Sequence, residues 1–287
     1  MTPQWRDLVS WILVLLAAFS GMVAFSGQRW STLYASGTAS AACEGLDPEG
    51  RRALQYLIDD ASGKGTAGRE DNEEVRWATR ILLSRGQKVL PCLLEIYRQG
   101  RTTGDSLPIG AHPQKSGKWT ITLIRKIDPK TAVPLYRELR TEADNPLTRV
   151  LMDAELAILG DSQFLQEIVD FLDHPPDLSS ERKGDVTYVQ ERALMAISVQ
   201  DHRAALPVLK KLEASFPYKP LINVYIAQLS GDISAIEKYI EDPRATSPAL
   251  LVLKRMGKLE ILRRIANDPA NPARKAAQAV LAGAVGP

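Results

Sequence analysis

Apolar side chains along most of this chain return at intervals near 3.6 residues, the period of a single helix face, in runs of about ten to fourteen residues. Residues 146–171 show the unit. Leu147, Val150, Leu151, Ala154 and Ile158 line one face, Gly160-Asp161 stops the run, and Ser162 is placed to cap a second run whose returning face is Leu165, Ile168, Val169 and Leu172. Two antiparallel helices joined by about three residues are the prediction. The same pattern predicts pairs at 73–84 with 87–98, 118–127 with 131–141, 186–199 with 203–215, 220–229 with 233–241 and 247–256 with 259–266, and a last helix at 272–282.

Three of the second helices carry a proline one turn in, at Pro91, Pro134 and Pro207. A proline costs little there, because N–H groups of the first turn have no intrahelical acceptor. Its return at one phase marks an internal repeat. Each pair has an apolar face that it cannot bury alone, so neighbours must stack, and the expected product is a curved α-solenoid with a concave surface suited to extended or convex partners. Residues 48–60, with Leu54, Leu57 and Ile58 on one face, read as an N-terminal cap.

Two stretches carry a resemblance. Val75-Arg76-Trp77-Ala78 through Arg85-Gly86-Gln87-Lys88-Val89-Leu90-Pro91, and Arg149-Val150 through Leu159-Gly160-Asp161, resemble the "VR..A...LG......P.L" pattern of HEAT-like repeats, especially the short subclass first named for phycobilisome lyases. The resemblance implies an all-α, right-handed solenoid of about six antiparallel HEAT-like pairs, and it sets the repeat domain at 47–287. It implies little about activity, since the family holds scaffolds, adaptors and a few enzymes. The third and fifth pairs depart from the pattern by lacking the proline.

Ahead of the repeats, residues 8–25 carry no charge and are flanked by Arg6 and Asp7 on one side and Gln28 and Arg29 on the other. A membrane-spanning helix takes roughly 17 to 25 residues, whereas the apolar part of a secretory leader takes about 7 to 15. Segment 1–27 therefore reads as an uncleaved transmembrane anchor, with Trp5 and Trp30 flanking it where interfacial aromatics sit. A cleaved signal peptide, cut after Ala24-Phe25-Ser26, is the alternative. The small and polar residues that follow make 28–46 a flexible tether. Flanking charge is nearly balanced and the N-terminal tail is short, so the C-terminal domain is expected beyond the inner membrane, in the periplasm or outside the cell.

Composition narrows the choice of fold and of chemistry. The chain is 45% hydrophobic and 24% charged but only 6% aromatic, which favours helices over a sandwich or barrel. A net charge of +2 does not announce a nucleic-acid binder. Cys43 and Cys92 are too few for a disulfide scaffold and lack the neighbours of a zinc site. Cys92 lies among Val89, Leu90, Leu93 and Leu94 and reads as a small buried hydrophobe, with a Cys43 to Cys92 bridge open to an exported domain.

Nothing in the sequence assembles a catalytic centre. His112, His174 and His202 have no ligand-spaced partner, Gly63-Lys64-Gly65-Thr66 lacks the order of a phosphate loop, and the acidic run Glu70, Asp71, Glu73 and Glu74 sits where a helix N-terminus welcomes negative charge. No cofactor is implied. Acidic residues crowd 142–191 and read as a solvated outer face, while 244–275 is basic. Lys254, Arg255 and Lys258 around the turn at Gly257, with Arg263 and Arg264 beyond it, form the candidate contact for an anionic partner. The expected function is a non-catalytic scaffold of the cell envelope that binds protein partners. An enzyme resembling HEAT-like lyases, or a cytoplasmic nucleic-acid-binding HEAT-like protein, is the alternative.

Overall fold

The structure is a computed structural model, and it describes residues 42–61, 73–102, 115–176 and 183–283. The anchor or signal at 1–27, most of the tether, His112 and the Gly63-Lys64-Gly65-Thr66 stretch lie outside the described residues. Fourteen helices and no strand occur among the described residues. None of these helices is long and apolar enough to cross a membrane.

The chain divides into two compact units, with the boundary inside the fifth helix, between Ala132 and Val133. Unit 1 holds α1 (Pro48–Ala61), α2 (Glu73–Arg85), α3 (Leu90–Thr102) and α4 (Lys115–Ile127). Its closest packing joins α1 to α2 and α3 to α4, with α4 also against α1 and α2. Residues 48–60 are thus an integral helix of the unit, with Leu54, Leu57 and Ile58 buried as the periodicity requires.

A disulfide joins Cys43 to Cys92, with Cα atoms 4.8 Å apart, well within the range such a bond spans. This corrects two expectations. Cys92 is not a free buried thiol, and the folded part begins before residue 47, because Cys43 and Leu46 are both 4% exposed. The bond closes a loop of 49 residues in sequence, for which chain entropy alone gives about 4 kcal/mol of stabilisation.

The fifth helix, α5 (Pro129–Glu142), starts two residues earlier than its apolar pattern proposed, because Asp128 accepts hydrogen bonds from Lys130 N–H and the Thr131 hydroxyl. Pro134 therefore lies inside the helix, where it removes the bond to the Lys130 carbonyl. Pro91 and Pro207 are each the second residue of their α-helices, and each of those helices follows directly on a 3-10 turn, Gly86–Lys88 and Arg203–Ala205.

Unit 2 continues with α6 (Pro146–Ile158), α7 (Leu165–Asp173), α8 (Lys183–Val199), α9 (Leu206–Glu213), α10 (Lys219–Ser230), α11 (Ile233–Lys238), α12 (Thr246–Arg255), α13 (Leu259–Asn267) and α14 (Arg274–Leu281). Here α6, α8, α10, α12 and α14 each pack on the next. The alternating helices cover them: α7 packs on α6, α8 and α9, α9 on α10, α11 on α10 and α12, and α13 on α12 and α14. Between the rows lies one apolar core that includes Leu172, Leu194, Ile197, Leu209, Ile222, Ile236 and Leu250. Ala154 and Ala157 on α6 and Ala193 and Ala196 on α8 are completely buried, and such short side chains let packed axes approach closely.

Four helices of the first row end in the same way. Gly160, Asp201, Gly231 and Gly257 take left-handed backbone at φ 101, 46, 76 and 72°. In each case the next N–H, from Asp161, His202, Asp232 and Lys258, bonds back to the carbonyls of Leu156, Ile197, Ala227 and Leu253. That closure satisfies helix-end carbonyls and turns the chain onto the next helix. After two of the corners the next residue is itself a cap: Asp161 accepts from Gln163 N–H and Asp232 from Ala235 N–H. The cap after α6 is thus Asp161, one residue before the expected Ser162.

Three outcomes test this account. Gly231→Ala is expected to cost about 1 to 2 kcal/mol in urea unfolding, and to do so through the backbone alone, since an added Cβ would meet no atom within 4 Å. Reduction of the disulfide, or Cys43→Ser with Cys92→Ser, should destabilise unit 1 by about 2 to 5 kcal/mol. The Ser234 hydroxyl and the Ala235 N–H hold the Asp232 carboxyl below 3.8. A lowered folded value means that its stabilisation is complete above 3.8 and is lost as pH falls through the folded value, so a carboxyl NMR titration should place the Asp232 midpoint under 3.8.

Candidate functional site

Within unit 2, charged and polar side chains link α5 to α6 and then, along the row, α6 to α8 and α8 to α10 and α12. On α5, Arg140 Nε donates to Asp153 Oδ1 of α6, and the guanidinium lies 3.8 Å from the centre of the Phe164 ring. Asp153 is 1% exposed. Burial pushes its carboxyl above the ordinary value, outweighing the pull of Arg140.

One helix further on, Arg192 Nε of α8 donates to Glu155 Oε1 of α6 at 2.7 Å. Burial works against the Arg192 charge, yet the attraction and hydrogen bond of Glu155 prevail, and its pKa is raised. Its Nη1 approaches Met195 Sδ at 3.3 Å, while Nη2 is buried with no hydrogen-bond partner among the described residues. Burial also raises the Glu191 carboxyl.

A third link joins α8, α10 and α12. The Ser198 hydroxyl donates to Gln228 Oε1, Gln228 Nε2 donates back to the Ser198 carbonyl at 2.8 Å, and Arg255 Nη2 donates to Ser198 Oγ at 2.5 Å. Ser198 is 1% exposed and Gln228 5%, so both have given up water and their mutual bonds replace it. Beneath them, burial pushes the Tyr225 hydroxyl up to about 12, although Arg255 and Arg192 pull the other way. Gln200 Nε2 adds a bond to the Ala157 carbonyl between α8 and α6.

Chemically, this strip orders helices and presents guanidinium groups. The two buried carboxylates are neutralised by arginine, and a tyrosine near 12 is a poor proton donor at neutral pH. Among the described residues no group of three His, Cys, Asp or Glu side chains is placed to hold a metal ion.

The five basic residues singled out from the sequence do not point one way. Lys254 Nζ donates to the Val280 carbonyl at 2.6 Å, in the last turn of α14. Arg255 turns to the other side of α12, toward Ser198. Arg264 pairs with Glu237 at 2.7 Å, Lys258 is half-buried at the turn, and Arg263 is exposed. Asp153 and Glu155, counted with a solvated acidic face, are instead buried and paired, because α5 and α8 bring arginines to them. His174 is exposed beside Asp173, and His202 follows the Asp201 corner.

In unit 1 an open groove between α1 and α2 is lined by Arg52, Trp77, Arg80, Glu49 and Glu73, with Arg52 5.6 Å from the centre of the Trp77 ring. Its charges are of both signs, and no directional field results.

The buried pair provides the prediction. Arg192→Met leaves Glu155 buried without its guanidinium and should cost about 3 to 5 kcal/mol in urea unfolding, while adding Glu155→Leu should recover most of it. Compared with known proteins, the chain matches no family model, no curated sequence and no solved structure.

Proposed function

We propose that unit 2 is a right-handed stack of HEAT-like helix pairs and that the protein is a non-catalytic scaffold, held in the cell envelope by its N-terminal segment, where it binds protein partners. The observation that carries the reading is the repeated left-handed corner at Gly160, Asp201, Gly231 and Gly257, which returns the chain to the same row each time. A row extended by identical corners offers a long surface of side chains rather than a single enclosed pocket, and that geometry suits recognition of another chain. The Cys43 to Cys92 bond supports the compartment, since such bonds persist where the surroundings are oxidising.

Three measurements test the proposal on the full chain in its own cells. Alkylation before and after reduction should find both cysteines blocked until reductant is added, and protease applied outside the inner membrane should digest the domain. A domain that is protected from protease and carries two free thiols would overturn the envelope placement. Crosslinking followed by capture should recover a defined protein partner in stoichiometric amount, and recovery of none would count against the scaffold.

A further inference from the structure

Five of the ten described arginines of unit 2 pair with a carboxylate, Arg203 with Asp201 at 3.4 Å among them. Arg140 has Asp153, Arg192 has Glu155, Arg137 has Asp161 and Arg264 has Glu237. Arg255 is one of the five that do not, and it is the one tied to a buried hydroxyl. Among the described residues it meets no carboxylate within ion-pair distance, and its one hydrogen bond is to the Ser198 hydroxyl. Ser198 has no freedom to turn away, because its proton is committed to Gln228 and its carbonyl to the Gln228 amide. The Arg255 side chain nevertheless remains accessible to solvent. It is a cation held in a fixed position with most of its planar donor fork unused.

We propose that Arg255, pinned across the α8, α10 and α12 row by Ser198, is the docking point for a carboxylate in an acidic segment of a protein partner. This rests on the scaffold reading and gives that surface its chemistry. The guanidinium fork matches a carboxylate through two parallel N–H bonds, and prior immobilisation removes part of the entropy that such a contact would otherwise cost. Partial burial pulls Arg255 below its ordinary pKa, offset in part by the Tyr225 hydroxyl and by no carboxylate. Glu191 on α8 disfavours a polyanion, which would need a field of one sign.

The test uses the full-length protein and a fluorescent peptide of four glutamates flanked by leucine, read by anisotropy at low salt. Wild type should bind it in preference to the glutamine counterpart. Arg255→Gln should weaken binding at least about tenfold, as expected for one charge-assisted contact. Arg255→Lys, which keeps the charge and loses the fork, should also weaken it, as should Ser198→Ala, which frees the guanidinium. Arg263→Gln, an exposed arginine elsewhere, should match wild type. Wild-type binding by Arg255→Gln or by Arg255→Lys would overturn the site, as would equal binding of the glutamine peptide by the wild type. Full displacement by inorganic phosphate at matched concentration would replace the peptide with a free anion, and tighter binding of heparin would replace it with a polyanion; either overturns the proposal. In cells, a partner captured equally by wild type and Arg255→Gln sinks this site and leaves the scaffold standing, whereas no partner for wild type sinks the scaffold itself.

Discussion

The row in unit 2 depends on one backbone constraint: each of four helices must end on a residue that can enter left-handed conformation. Where that residue is glycine the conformation is nearly free, and where it is Asp201 the chain accepts a small penalty. From that corner the following N–H closes onto a carbonyl five residues back, and the next helix begins in a fixed direction. The apolar core then needs only to fill the space so defined. A helix that overran its corner would carry Ile236 or Leu262, both fully buried, out of register with the row it covers.

The polar links act on top of this geometry. Hydrophobic contacts tolerate sliding of one helix along another, whereas Arg192 reaching Glu155, or Ser198 exchanging bonds with Gln228, is satisfied at one offset only. Burying these groups gives little net stability, because desolvation offsets most of the attraction. Their effect is to make alternative offsets expensive. Arg255 extends the same link to α12 through a hydroxyl rather than a carboxylate, so its positive charge stays available.

Much of this was legible in the sequence and some was not, for reasons that differ by residue. Turns at Gly160, Gly231 and Gly257 announce themselves, since a glycine after an apolar run is a local signal. Leu54, Ile168 and Leu194 are buried where period 3.6 places them. Pairing across helices is not local: Arg192 lies 37 residues from Glu155, and nothing near either marks the other as its partner. Charge alone therefore places Asp153 and Glu155 on the surface, whereas arginines on two other helices take them inside. Lys254 and Arg255 are adjacent in sequence and look like one cluster, yet a rotation of about 100° per residue sends them to opposite neighbours. The start of α5 is also set by a single side chain, since Asp128 caps it two residues ahead of its apolar pattern.

The disulfide also changes how the chain carries load. A pull applied to the residues before Cys43 reaches Cys92 of α3 through a covalent bond and bypasses the intervening residues, α1 and α2 among them. Those two helices then hang as a closed loop off the line of tension. Tension entering at Cys43 is thus passed to α3 before it reaches α1 or α2.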